Sequence, residues 1–274
     1  MILPLLASLA LIIAAAKFGG WLSGLLRQPV VLGELFVGLV LGPSVLGLFN
    51  LPYFESAHVG EAIREFGELG VIFLMFTAGL EVAVDDLRKA GRPAVWTGVL
   101  GVVSPLVLGT LALLPFGLDP QRAIFLGIVM AATSVSISAQ TLIELRRLRS
   151  PEGLTLLGAA VVDDVLAIAI LSAFTALALG GEGGVGGLVW IFVRMVLFLG
   201  GALLLGSWLL PRVVQWVESR ELAISEPVLS LVVVLVLTFA WASEFVGGVA
   251  AITGAFIVGV ALARSSLKGK IERG

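Results

Sequence analysis

The amino-acid sequence predicts an all-α, polytopic membrane protein, and three observations carry that expectation. Apolar runs of about 20 residues recur along the whole length, each long enough at roughly 1.5 Å of rise per residue to cross a hydrocarbon core of about 30 Å. Hydrophobic residues make up 59% of the chain and charged residues 13%, with a mean hydropathy of +1.11, a balance that cannot build a water-facing surface. The basic residues alternate between loops in step with the apolar runs. The 34 glycines suit helices that approach one another closely in lipid, and their spread does not fit the short alternating strands of a barrel.

Nine spans are expected, at 3–25, 30–48, 67–84, 93–114, 122–144, 153–178, 188–210, 227–244 and 246–264. The N-terminus, Met1-Ile2-Leu3-Pro4, has neither a basic n-region nor a small-residue cleavage pattern, so the first run is read as a retained helix that ends at Gln28-Pro29. The second run closes at Asn50-Leu51-Pro52. Glu68 and Glu81 flank the third, which gives way at Ala90-Gly91-Arg92-Pro93. Breaks at Leu118-Asp119-Pro120 and Ser150-Pro151 end the fourth and the fifth. The sixth runs into a Gly-rich tract at 180–187, read as a flexible external loop, and the seventh ends before Glu226-Pro227. Ser243 to Gly248 separates the eighth from the ninth.

Charge sets the direction. Arg27; Arg88, Lys89 and Arg92; Arg146, Arg147 and Arg149; Arg212 and Arg220; and Arg264, Lys268, Lys270 and Arg273 fall on one side, thirteen of the 17 basic residues. Only Arg64 and Arg122 fall opposite, while Lys17 and Arg194 lie inside spans, where their stems are expected to snorkel. The positive-inside rule makes the rich side cytoplasmic, with the N-terminus outside and the C-terminus inside an inner membrane. There is no cysteine, and the single histidine, His58, falls in an expected loop, so thiolate and histidine metal sites are excluded. No basic nucleic-acid face exists at a net charge of −2, and no cofactor is expected.

The informative residues are polar ones inside the spans. Asp163 and Asp164 lie about ten residues from either end of the sixth run, where each carboxylate costs about 2.5–3.5 kcal/mol on insertion scales. Adjacent residues point about 100° apart on a helix, so the pair requires a wet or broadly packed surround. The bland alternative is a structural pair, protonated or hydrogen-bonded to a neighbouring helix. In the fifth run, Thr133, Ser134, Ser136 and Ser138 form a stretch of hydroxyls that competes with the helix ladder, a candidate unwound segment whose oxygens can coordinate a cation. Its alternative is four hydroxyls folded back onto their own carbonyls. Two polar interruptions at similar depth in consecutive helices mark transporter sites. Glu34 sits near the start of the second run, and Gly38 with Gly42 reads as a helix-packing feature. Val37 to Leu41 with Ser44 and Leu46 matches Val258 to Leu262 with Ser265 and Leu267, as an inverted repeat would.

Gly33-Glu34 with Gly38, Gly42 and Pro43, then Phe76 to Glu81, Ala132 to Ser136, Val161 to Leu166, and Gly254-Ala255-Phe256 with Gly259 resemble the cation:proton antiporter-2 family, in particular its NapA-type sodium/proton exchangers. The resemblance covers essentially the whole chain. It implies an inverted-repeat antiporter fold of thirteen helices, a homodimer, and a core that moves with the ion against a fixed dimerisation domain. Residues 1–90 and 221–274 would then be dimerisation-side helices, 91–180 the core and 181–220 the linker. By the same resemblance Asp164 is the main Na⁺/H⁺ carboxylate with Asp163 beside it, and Thr133 and Ser134 sit at the helix break. The family's lysine-bearing helix and three others fall beyond Gly274, so the second repeat is expected to be incomplete. The expected function is exchange of Na⁺, with Li⁺ as a further cation, for protons by elevator-type alternating access, without enzymatic chemistry. The alternatives are a potassium-efflux channel or K⁺/H⁺ exchanger of the same fold, or an inactive fragment or assembly partner. An intramembrane aspartyl protease needs its aspartates on facing helices, which the adjacent Asp163 and Asp164 do not supply.

Overall fold

A computed structural model describes residues 2–42, 45–47, 57–82, 84–178, 184–218 and 227–263, and every regular element among them is helical. In order these are α1 (Ile2–Leu25), α2 (Val30–Leu41), α3 (Ala57–Glu81), α4 (Val84–Leu113), α5 (Pro120–Ala131), α6 (Val135–Glu144), α7 (Pro151–Ala178), α8 (Gly184–Glu218), α9 (Pro227–Ala242) and α10 (Ala251–Leu262). With α5 and α6 taken as one interrupted helix, all nine expected spans have a helix among the described residues. Six stretches are long and apolar enough to cross a membrane: Leu3–Leu25, Ala90–Phe116, Pro120–Glu144, Pro151–Thr175, Val189–Val214 and Val228–Gly247. They expose large apolar side chains such as Trp96, Leu108, Leu197 and Leu204, the surface that lipid accepts. The protein is therefore a polytopic α-helical membrane protein. Of the Gly-rich tract expected as a loop at 180–187, residues 184–187 instead form the first turn of α8, since nothing in the tract prevents the helix from starting before its apolar run; residues 180–183, the expected loop segments 50–56 and 264–274, and Arg220, Pro43, Ser44, Ser265 and Leu267 lie outside the described residues.

The punctuation residues act through identifiable bonds. Asp119 accepts from the Gln121 amide at 3.1 Å and Pro120 opens α5. Ser150 does the same for Gly153 at 3.2 Å where Pro151 opens α7. Elsewhere the helices overrun their apolar stretches. α3 begins ten residues before the expected start, and His58 sits in its first turn rather than in a loop, 4.0 Å from Glu61. The break expected at Ala90–Pro93 lies inside α4, which starts at Val84 and carries both Pro93 and Pro105. α2 ends early, at Leu41. Hydropathy reports what lipid accepts, whereas a helix continues wherever its backbone bonds are met.

The chain divides into two compact units, residues 1–71 with 140–147, and residues 72–139 with 148–274. In the first, α1 and α2 pack through Gly19 and Gly33, where a Cβ on Gly33 would strike the Gly19 carbonyl. The packing glycine of α2 is thus Gly33; Gly38, expected in that role, has open space beside it. Glu144 caps α2 by accepting from the Val30 and Val31 amides at 2.6 and 3.2 Å. Lys17 does not simply snorkel, since its ammonium pairs with Glu34 at 3.3 Å, and Gln140 donates to the other Glu34 oxygen at 3.4 Å.

In the second unit α4 packs against α5 and α7, with Gly98 lying over the Ala159 carbonyl and Val162. The core joins the end of α3 to α8, α9 and α10 through Phe76, Leu80, Leu210, Val236, Val258 and Leu262. Arg149 donates to the last α3 carbonyl, Glu81, at 2.7 Å. Beyond α9 the backbone forms a π turn, Ser243–Gly247, closed by Gly248 at a left-handed φ of 69°. Arg194, expected to snorkel, instead donates Nε to the Val246 carbonyl and Nη2 to that of Phe245. Non-helical backbone at membrane depth persists only where its polar groups find partners, and this guanidinium supplies two. The break turns the chain so that α10 runs back along α9, with Gly254 against the Phe239 carbonyl. Residues 253–262 of α10 are all buried. α2 and α10, which hold the two copies of the expected repeat, are each helices of 12 residues.

Candidate ion site

α7 carries both aspartates near its middle, thirteen residues or fewer from Pro151 and fourteen or more from Ala178. Their angular separation sends them into different cavities. Asp163 faces a cavity of about 170 Å³, lined also by Thr97, Thr133, Ser134 and Ser138. Asp164 faces one of about 10 Å³, whose other polar lining is Thr253 among Met75, Leu157 and Phe256. Val135 and Ala160 line both and form the wall between them.

The first cavity exists because the helix is interrupted. α5 stops at Ala131, Ala132 is extended with φ −67° and ψ 120°, and α6 resumes at Val135. The residues left unwound include Thr133 and Ser134. Thr133 and Asp163 line the same cavity. The hydroxyls also bond locally, Thr133 to the Ala131 carbonyl at 3.2 Å and Ser134 with Ser136 at 3.1 Å, so the bland reading describes part of their bonding. Asp163 is 6% exposed, and its Oδ1 has no hydrogen-bond partner. Among the described residues no ion pair reaches either aspartate.

Asp164 is met from the opposite side. Thr253, in the first turn of α10, donates its hydroxyl to Asp164 Oδ2 at 3.3 Å and is itself 5% exposed. The sequence places Asp163 and Asp164 beside each other with Thr133 and Ser134; the structure brings Asp163 to the break and Asp164 to α10. Thr253 escaped notice in the sequence. Its one signal is a lone hydroxyl in the apolar run Ala250-Ala251-Ile252-Thr253-Gly254-Ala255, next to a glycine that admits the α9 backbone.

An unpaired buried carboxylate is costly while charged, and either a proton or a cation restores neutrality. Oxygens from carboxylates and hydroxyls are the ligands that hard cations prefer. The arrangement can therefore hold a proton and a cation in turn.

Comparison with known proteins points the same way. The profile of a family described as sodium/hydrogen exchanger, transmembrane, matches residues 12–273. The chain is 36% identical over 265 residues to the Na(+)/H(+)-K(+) antiporter GerN of Bacillus cereus, covering 97% of this chain and 65% of that protein. It is 32% identical over 263 residues to a Na(+)/H(+) antiporter of Enterococcus hirae, with 96% and 66% covered. To the high-affinity Na(+)/H(+) antiporter NhaS3 of Synechocystis sp. it is 33% identical over 294 aligned positions, with 97% and 63% covered. The chain thus spans about two thirds of the length of these relatives.

Proposed function

Because the chain belongs to the sodium/hydrogen exchanger family, we propose that it moves a monovalent cation, Na⁺ and also Li⁺, across the membrane in exchange for protons. The observation that carries this reading is the mid-span Asp163–Asp164 pair, unpaired by any cation among the described residues and opening onto hydroxyl-lined space. Cation and proton compete for the same carboxylates, and only a neutralised site crosses the low-dielectric interior, which couples one flux to the other. Asp164 is the principal carrier, Asp163 the second, and Thr133 and Ser134 offer neutral oxygens at the break. The cycle is an elevator: helices within 91–180 move as the core, 181–220 links, and 1–90 with 221–274 hold a homodimer in the lipid bilayer. No covalent chemistry enters, so the protein is not an enzyme. K⁺ is a second cation to consider, since the printed name of GerN includes it.

The test is addition of each cation to respiring everted vesicles that contain the protein and a pH-sensitive dye. Na⁺ and Li⁺ are expected to dissipate the pH gradient in a saturable way. A gradient unmoved by Na⁺, Li⁺ or K⁺ would overturn the reading.

The proposed setting is the inner membrane, with the N-terminus outside and the C-terminus cytoplasmic, on the basic-residue split. Single cysteines at Arg147 and at Phe116, which is 81% exposed, should label from opposite faces with a membrane-impermeant thiol reagent. Labelling of both from one face would break the orientation.

A further inference from the structure

The small cavity between α7 and α10 differs sharply in size from the larger one beside Asp163. Its volume of about 10 Å³ leaves room for roughly one water-sized occupant. The walls are apolar apart from two side chains, the Asp164 carboxylate and the Thr253 hydroxyl, which face each other at 3.3 Å. A Na⁺ ion stripped of its hydration shell is no larger than a water molecule, so an ion that enters must exchange its shell for these oxygens. The cavity beside Asp163, at about 170 Å³, can keep a cation's own water around it.

From this contrast we infer that Thr253 is a specificity-determining ligand, closing with Asp164 a seat for one dehydrated monovalent cation, while the Ser/Thr-lined cavity beside Asp163 serves as its hydrated antechamber. The inference rests on the antiport reading and extends it to a residue on a different helix from the break. A hydroxyl suits both halves of the cycle, because it has one donor proton and two lone pairs. It donates to Asp164 Oδ2, giving the half-buried carboxylate one hydrogen bond. When the cation enters, the same oxygen turns a lone pair toward it. No covalent bond is made or broken in the turn; the hydrogen bond to Asp164 is exchanged for the contact with the cation. Two features keep the hydroxyl in place: Gly254 lets α10 approach the Phe239 carbonyl without a clash, and Arg194 satisfies the carbonyls of the preceding π turn.

The competing account is that Thr253 only packs its methyl group and steadies the first turn of α10. Three variants in reconstituted vesicles separate the two. Thr253→Val keeps the shape and removes the oxygen; it is expected to raise the apparent KM for Na⁺ about tenfold, the loss of one neutral ligand, with the maximal rate changed by no more than about twofold. Thr253→Ser returns the oxygen without the methyl and should bring the KM back to within about threefold of the parent. Asp164→Asn tests the reading beneath the inference and should be inactive. The Na⁺ concentration that half-protects purified protein against thermal unfolding should shift by the same factor in Thr253→Val, a readout independent of transport. Should Thr253→Val fold poorly, Thr253→Ala carries the same comparison. An unchanged KM in Thr253→Val beside an inactive Asp164→Asn overturns the inference and leaves antiport standing, as does a Ser variant as impaired as the Val variant. Exchange that persists in Asp164→Asn overturns both.

Discussion

Asp164→Asn is expected to reduce Na⁺-driven proton movement in everted vesicles to background. An amide has nearly the shape of the carboxylic acid, yet it cannot take up the transported proton and carries no charge to offset dehydration of Na⁺. The fold should tolerate the change, because the variant replaces an unpaired carboxylate, reached by no cation among the described residues, with a neutral group of the same size. Its melting temperature in detergent without Na⁺ should therefore be no lower than that of the parent, while its stabilisation by Na⁺ disappears. A fall in both activity and melting temperature would reassign Asp164 to structure. Asp163→Asn is the graded counterpart. That residue opens onto the roomier cavity with Thr133 beside it, so its variant should keep exchange at a reduced rate or with a different charge moved per cycle.

The largest expected effect on folding comes from Gly259→Val. Gly259 on α10 and Gly79 on α3 lie against one another's backbones: a Cβ at Gly259 would strike the Phe76 carbonyl and come within 2.8 Å of both Gly79 Cα and Leu80 N. These are backbone atoms in two packed helices, not ends of flexible side chains, so nothing local can yield. The core around them, Phe76, Leu80, Val258 and Leu262, would have to open. Overpacking costs of about 1–3 kcal/mol are a floor when two helices must separate. The variant should lose most of its monodisperse peak on size exclusion in mild detergent. Gly38→Val, which meets open space on α2, is the control and should behave as the parent does. A monodisperse Gly259→Val protein with the parent's melting temperature would refute the close α3–α10 contact.

How much of this was legible beforehand differs from one element to the next. The spans, the breaks at Leu118–Pro120 and Ser150–Pro151 and the unwinding after Ala131 all follow from local composition. Lipid selects apolar runs, proline and aspartate or serine shape a helix start within three residues, and clustered hydroxyls weaken the ladder where they stand. The positions of helix ends were less legible. α3 and α4 extend beyond their apolar stretches because hydropathy measures the solvent and not the backbone.

The sequence by itself determined that this is a polytopic helical membrane protein with two aspartates at mid-span and a polar interruption in the preceding helix. Those properties reside in single residues and their near neighbours, where the cost of a charge in lipid needs no partner to be known. Only the tertiary structure decided what each aspartate faces. Asp163 and Asp164 are adjacent in the chain, yet the helix sends them into separate cavities, one beside Thr133 and the other beside Thr253, which is 89 positions from Asp164. The same holds for Arg194, whose carbonyl partners lie 51 and 52 positions away, and for Lys17 with Glu34. Each depends on which helices lie side by side, and in lipid that is settled by close backbone contact at glycines such as Gly19, Gly79 and Gly254, which no local pattern distinguishes from glycines that touch nothing.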